Sequence, residues 1–131
     1  MTPEASRQFI KEVFANTIEN MDATEETYAK YFSKDYVQYV DGKTLNYNGF
    51  IAHMAAQKAV LQSAKVAFKH MVAEGDKVAT VHIVKAVKKN GRAVQAQVNA
   101  LFQLKDHRVV LCDELTRLIE GDPSDKDLGS R

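Results

Sequence analysis

The sequence predicts an α+β domain, in which three N-terminal helices precede an antiparallel sheet. Apolar residues recur at helical spacing up to about residue 62 and at every second position from Lys65 onward. Three turn signals, Gly75-Asp76, Asn90-Gly91 and Asp106-His107, divide the second half into four strands joined as hairpins. Helices followed by a run of hairpins are typical of an α+β domain.

Length and composition indicate one globular domain. The chain has 131 residues, of which 45% are hydrophobic and 27% charged, and this composition excludes a disordered or fibrous chain. We predict a domain over residues 1–120 and a polar tail over residues 121–131. The net charge of +1 implies no nucleic-acid partner, and no apolar run is long enough for a membrane span. The single cysteine, Cys112, favours a reducing, cytoplasmic setting.

The three helices are predicted from apolar stripes and from capping residues. The expected ranges are Pro3 to Met21, a short helix after Thr24 that contains Tyr28, Tyr31 and Phe32, and about Gly49 to Gln62 after a cap at Asn46 or Asn48. A short strand, Tyr36 to Val40, is expected between the second and third helices, and Asp41-Gly42 turns the chain after it.

The four long strands are expected at about Lys65 to Glu74, Lys77 to Lys89, Arg92 to Lys105 and Arg108 to Ile119. Two-residue turns would pair them so that four cross-strand rows face the helices. These rows are Val72-Ala79-Phe102-Leu111, His70-Val81-Ala100-Asp113, Phe68-Ile83-Val98-Leu115 and Val66-Lys85-Ala96-Arg117. The opposite face then holds Lys69, Met71, His82, Cys112 and Glu114, among others. A single bulge would exchange Asp113 for Glu114.

Two ionisable residues, Asp113 and His70, share one row of the expected inner face. An unpaired buried carboxylate is costly, so Asp113 needs a hydrogen-bond partner, a raised pKa or a water-filled cavity. Strong curvature of the sheet would place the two residues on facing walls of a pocket. We interpret Asp113 and His70 as an acid/base pair in that pocket. The alternative is that both are hydrogen-bonded core residues without a chemical role.

Four segments together resemble the nuclear transport factor 2-like superfamily, and within it the SnoaL-like branch. They are Tyr31 to Gly42, Tyr47 to Phe50, Glu74 to Ala79 and Val109 to Glu114. The resemblance implies a cone-shaped, strongly curved sheet wrapped around the helices, a pocket between them, and a homodimer through the outer sheet face. The branch includes polyketide cyclases, a steroid isomerase, dehydratases, epoxide hydrolases and non-catalytic binding domains. Asp113 matches the acid/base aspartate of the cyclase-like members, whereas Tyr39 stands where relatives often have histidine.

The resulting functional hypothesis is a small-molecule-binding protein that acts without a cofactor. It would isomerise, cyclise, dehydrate or hydrolyse a largely apolar substrate; the alternative is a non-catalytic ligand-binding, dimerisation or protein-interaction module. The expected ligand contacts are Tyr28, Phe32, Tyr39, His53, Phe68 and Phe102. No metal is expected, because the four histidines lack ligand spacing. The basic turn from Lys88 to Arg92 is interpreted as a solvated hairpin tip.

Overall fold

The computed structural model describes residues 1–122 and confirms the α+β class. Residues 123–131, which hold most of the predicted polar tail, lie outside the described residues. The elements are α1 (Pro3–Thr17), α2 (Glu25–Tyr31), β1 (Phe32–Val40), β2 (Lys43–Asn46), α3 (Tyr47–Val60), β3 (Leu61–Glu74), β4 (Lys77–Lys88), β5 (Ala93–Lys105) and β6 (Arg108–Glu120). Three helices thus pack on a curved, unclosed sheet.

Capping residues decide where the helices begin. The Thr2 hydroxyl accepts a hydrogen bond from the Ala5 N–H at 3.1 Å, and the Asn46 side chain accepts one from the Gly49 N–H at 2.8 Å. Asn46, and not Asn48, is therefore the cap of α3. The expected end of α1 at Met21 is wrong, because the helix stops at Thr17.

The sheet has the strand order β2-β1-β6-β5-β4-β3, and β1 runs parallel to β6 while every other pair is antiparallel. The antiparallel run from β3 to β6 was predicted, whereas β2 was not. Asp41 and Gly42 form the two-residue turn between β1 and β2, with φ of 50° and 86°. Positive φ at both turn positions matches the twist of a tight hairpin, and Asp-Gly adopts it readily.

The expected cross-strand rows are wrong at three places, each by one residue. The β4–β5 loop has three residues, because Lys88 N–H bonds the Arg92 carbonyl at 2.9 Å. A bulge in β6 changes the pairing from Leu104↔Val109 to Gln103↔Leu111, and a bulge in β3 lies between Phe68 and His70. Each shift exchanges the two faces of a strand.

The inner face of the sheet, as the structure has it, packs against α1 and α3 through an aromatic core. Phe14 of α1 makes edge contacts with Phe68, His82 and Phe102, at ring-centroid distances of 5.2, 4.9 and 5.7 Å. Phe50 of α3 packs against Phe32, whose ring centroid lies 4.5 Å away. Such ring pairs add to the stabilisation from apolar burial and hold both helices against the sheet.

Lys58 of α3 caps the C-terminal end of α1. Its ammonium group donates to the carbonyl oxygens of Thr17 (2.6 Å), Ile18 (3.2 Å) and Asn20 (2.6 Å). The last carbonyls of a helix have no partner within the helix and carry partial negative charge, so a cation is favourable there. Burial lowers the pKa of Lys58 to about 8. One side chain thereby ties α3 to α1.

We expect Lys58→Met to lower the free energy of unfolding by about 1 to 3 kcal/mol, because it retains the aliphatic stem but leaves three carbonyls without their charged donor. Urea unfolding followed by circular dichroism measures the change. Lys11→Met is the matched control, since Lys11 lies exposed on α1. A loss no larger than that of the control would contradict the capping role.

Candidate functional site

A cavity of about 120 Å³ lies between α1, α3 and the inner face of the sheet. It approaches the size of engineered protein cavities of about 150 Å³ that hold benzene, so a ligand of about one ring would fit. Its walls are mostly apolar, with contributions from Val13, Phe14, Ile18, Met21, Phe32, Phe50, Met54, Leu61, Ala64, Val84, Ala96, Val98 and Phe102. The polar or ionisable residues that line it are Thr17, Tyr36, Gln38, His53, Gln57, Lys58, His82, Cys112, Glu114 and Thr116. A few polar groups in an apolar wall are typical of a ligand pocket.

Glu114 is the carboxyl group of the cavity wall. The β6 bulge places it on the inner face, where it pairs with Ala100 and is half-buried. Gln38 donates from Nε2 to Glu114 Oε1 at 3.1 Å. Burial, and then the neighbouring charges of Asp41 and Asp113, raise the pKa of Glu114 to about 8. At neutral pH the residue is therefore mostly an uncharged carboxylic acid.

Tyr36 and Gln38 orient that acid. The buried Tyr36 hydroxyl donates to Gln38 Oε1 at 2.7 Å, so the amide nitrogen of Gln38 is directed to Glu114. Burial raises the pKa of Tyr36 well above its ordinary value, and its hydroxyl stays a donor. Because Gln38 donates to Oε1, the acidic proton of Glu114 is left to Oε2.

His82 is a second polar group of the wall. The Thr80 hydroxyl lies 2.9 Å from Nδ1, and burial lowers the pKa of His82 to about 4, so the ring is neutral. Within residues 1–122, Nε2 has no hydrogen bond and is the ring nitrogen left for a ligand. His82 pairs with Val98 and Glu114 with Ala100. His82 and Glu114 are thus two strands and two residue positions apart. On a flat sheet this separation is about 12 Å between their backbones, and curvature shortens it.

The structure places the two expected catalytic residues outside this cavity. Asp113 and His70 are both exposed on the outer face, so the inward placement predicted for them is wrong. The β6 bulge turns Asp113 outward, and the longer β4–β5 loop leaves His70 opposite Val81 on the outer side. The argument for a catalytic role used the inward placement, and that role stays a prediction.

The six expected ligand contacts separate into three groups. Phe32, His53 and Phe102 line the cavity. Tyr28 is buried against Phe50 and Phe68 packs on Phe14 and His82, so both lie behind the wall. Tyr39 is 43% exposed and has no place in the wall. Contact of any of these with a ligand stays a prediction.

Sequence reasoning missed seven of the polar residues in the wall. They are Thr17, Gln38, Gln57, Lys58, His82, Glu114 and Thr116. It also placed Cys112 on the outer face, which is wrong, because Cys112 is buried and lines the cavity. For Glu114 the signal was the expectation that a single bulge would exchange it for Asp113 on the inner face. For Gln38 the signal was its alternation with Tyr36 along β1, which puts both on one face.

The described part of the chain offers neither a metal-binding cluster nor a membrane-spanning helix. No cluster of three or more histidine, cysteine or acidic side chains in residues 1–122 is arranged to hold a metal ion. Among the same residues, no helix combines the length and apolar character needed to cross a membrane.

Comparison with known proteins places this geometry in a family. An uncharacterized protein of Schizosaccharomyces pombe is 34% identical over 125 residues, which is 95% of each chain. The crystal structure of AclR from Streptomyces galilaeus has a TM-score of 0.76 at 18% identity, covering 99% of this chain and 88% of that one. An LEH-like epoxide hydrolase of M. tuberculosis has a TM-score of 0.73 at 18% identity, covering 89% and 86%. The SnoaL-like domain model matches residues 7–112, and the chain belongs to the SnoaL-like family.

Proposed function

We propose that the protein binds a small, uncharged, largely apolar molecule and transforms it by acid/base chemistry in which Glu114 is the proton donor. The observation that supports this most directly is the Gln38–Glu114 hydrogen bond in an otherwise apolar wall. A carboxyl group whose pKa lies near the working pH is suited to give a proton and take it back. Glu114, with a pKa of about 8, meets that condition.

The charges of the wall favour an uncharged ligand. Glu114 and His82 are both mostly neutral at pH 7. Lys58 already donates to three backbone carbonyls, so its charge is engaged by the end of α1. A carboxylate, phosphate or ammonium group entering the cavity would lose its hydration and gain no free counter-charge, which is unfavourable.

The chemistry proceeds through one oxygen of the substrate. Glu114 Oε2 would give its proton to a carbonyl, hydroxyl or epoxide oxygen as the electrons of the adjacent C–O bond move onto that oxygen. The resulting carboxylate keeps the Gln38 hydrogen bond, which stabilises its charge. It then recovers a proton in one of two ways. A C–H group gives it up as the C–H electron pair forms a new bond to the carbon that lost the C–O electrons, or a water molecule gives it up as the water oxygen bonds to that carbon. Isomerisation, cyclisation, dehydration and hydrolysis all follow this sequence, and the epoxide hydrolase among the structural neighbours acts on an oxygen of this kind.

We propose further that two copies of the chain associate through the outer sheet face in the cytoplasm. That face exposes Val72 (65%), Leu115 (68%) and Leu101 (37%) to solvent, an unusual set of large apolar side chains for a monomer surface. A two-fold dimer would bury the same patch on both copies.

We expect Glu114→Gln to reduce turnover by a factor of about 10² to 10⁴ while binding persists, because the amide keeps the size and the Gln38 hydrogen bond but has no acidic proton. The measurement screens neutral one-ring epoxides, lactones and ketones, with thermal shift for binding and chromatography for turnover. Asp113→Asn, on the exposed face of the same strand, is the control.

Equal turnover by the Glu114→Gln variant and the native protein would refute the role of Glu114. Binding without turnover in the native protein and in both variants would instead support the non-catalytic ligand-binding module. Tighter binding of one-ring carboxylates or amines, screened beside the neutral panel, would contradict the proposed substrate class.

We expect stability to fall by about 1 to 2 kcal/mol between pH 6.5 and pH 8, relative to Glu114→Gln. The pKa of Glu114 is raised in the folded protein, so its contribution is complete below about 4.5 and is lost as pH rises through about 8. Denaturant unfolding across this range measures the difference, in which contributions from His82 and Lys58 cancel. Glu120→Gln, at the exposed end of β6, should keep the native slope. Parallel curves for the native protein and the Glu114→Gln variant would show that Glu114 ionises normally.

We expect Leu115→Lys to convert a dimer to a monomer without changing the fold, because two like charges would meet near the centre of the proposed interface. Sedimentation equilibrium measures the mass, and circular dichroism checks the fold. Gln8→Lys, at an exposed position of α1 and away from the outer sheet face, serves as the control. A native protein that sediments as a monomer at all concentrations tested would exclude the dimer.

A further inference from the structure

Asp41 makes two hydrogen bonds to the backbone of β6, one at Glu114 and one at the second residue after it. It follows the last residue of β1, and its N–H donates to the Glu114 carbonyl oxygen at 3.2 Å. Its side-chain Oδ1 accepts from the Thr116 N–H at 2.7 Å. One residue therefore fixes the stretch of β6 from Glu114 to Thr116, at the start of which the Glu114 side chain enters the cavity wall.

The second carboxylate oxygen of Asp41 has a different environment. Oδ2 is buried and accepts no hydrogen bond from residues 1–122. The hydroxyl of Thr116, a residue of the cavity wall, is buried and unpaired in the same part of the molecule. A buried carboxylate oxygen without a donor has little solvent or hydrogen bonding to screen its charge, which then acts strongly on a neighbouring ionisable group. That group is Glu114, whose pKa the charge of Asp41 raises.

We propose that Asp41 is a positioning residue for Glu114: it clamps the backbone of β6 at the Glu114 carbonyl and the Thr116 N–H, and it places a negative charge beside the Glu114 side chain. The inference rests on the proposed function of Glu114 as proton donor and adds a residue that contacts no substrate. A negative neighbour makes the anionic form of Glu114 less favourable, and the acid thus retains its proton at neutral pH.

The residue type at position 41 supports this reading. Its backbone has φ of 50°, a left-handed conformation that asparagine, aspartate and glycine adopt most readily. Asparagine would satisfy the turn and would also accept the Thr116 hydrogen bond through its amide oxygen. The negative charge is thus the one property of Asp41 that neither the turn nor the clamp requires.

Other ionisable groups face the same region from several elements. Asp113 of β6 adds a negative charge next to Glu114. Cys112 of β6, Tyr36 of β1, His53 and Lys58 of α3, and His82 of β4 line the same cavity. Among these, Asp113 carries the same charge as Asp41, but it is exposed on the outer face, where solvent screens it. The β5 residues that line the cavity, Ala96, Val98 and Phe102, have no ionisable group.

The experiment is a titration of the Glu114 side chain by carbon-13 NMR of the carboxyl carbons, with the resonance assigned by its loss in Glu114→Gln. We expect Asp41→Asn to lower the midpoint by about one pH unit, which is a tenfold increase in the acid dissociation constant. Asp113→Asn is the matched control, and its shift should be less than half as large. Equal shifts in the two variants, or no shift in Asp41→Asn, would overturn the proposal.

A second variant keeps the test decisive if Asp41→Asn folds poorly. Asp41→Gly also tolerates the positive φ, and it removes the charge together with the Thr116 hydrogen bond, so the Glu114 midpoint should fall at least as far. A midpoint that stays at the native value in Asp41→Gly overturns the proposal as well.

The titration tests the role of Asp41, and the activity assay tests the proposed function, so one proposal can be refuted without the other. If Glu114 titrates near 8 and responds to Asp41→Asn, the positioning role holds even where no substrate is turned over. If instead turnover requires Glu114 but its pH profile is the same in the native protein and Asp41→Asn, the proposed function stands and the role of Asp41 is wrong.

Discussion

The parallel pairing of β1 with β6 is the interaction on which the candidate site depends. It joins strands far apart in the chain, with Gln38 opposite Cys112 and Val40 opposite Glu114. Every polar contact of Glu114 described above comes from this pairing, because Gln38 and Asp41 both belong to the β1 segment. Without it, β6 would be a sheet edge and Glu114 would face water. The site is thus a consequence of topology more than of any local motif.

Glu114 and His82 add little charge to the cavity wall, because both are mostly neutral at pH 7. Burial acts in opposite directions on the two kinds of group, raising the pKa of Glu114 and lowering that of His82. An acid that keeps its proton and an imidazole that lacks one can coexist in an apolar wall without an ion pair. A strong cation next to Glu114 would have held it ionised, but the one lysine of the wall directs its ammonium group to the end of α1.

Much of the fold could be predicted from the sequence, because its determinants are local. Apolar periodicity located the helices, and the turns at Gly75-Asp76 and Asp106-His107 have the predicted length. The bulges could not be predicted, since they accommodate the curvature that the sheet needs in order to wrap around α1 and α3. At Asn90-Gly91 the dipeptide indicated a turn but not its three-residue form. The identity of the inward carboxyl group therefore changed from Asp113 to Glu114, while the prediction of a pocket between helices and sheet needed no exact register.

Glu114 also shows why a site of this kind lowers the stability of its own fold. Burial favours the protonated form of Glu114 and makes its ionisation unfavourable. The free energy of unfolding therefore falls as the pH rises toward values that favour the carboxylate. Asp41 adds to that loss with a buried oxygen that accepts no hydrogen bond from the described residues. Structural purposes alone would be served better by amides at both positions, which satisfy the same hydrogen bonds without charge. The aromatic contacts of Phe14 and Phe50 with the sheet offset the loss, and the two carboxyl groups agree with the proton-donor role proposed for Glu114.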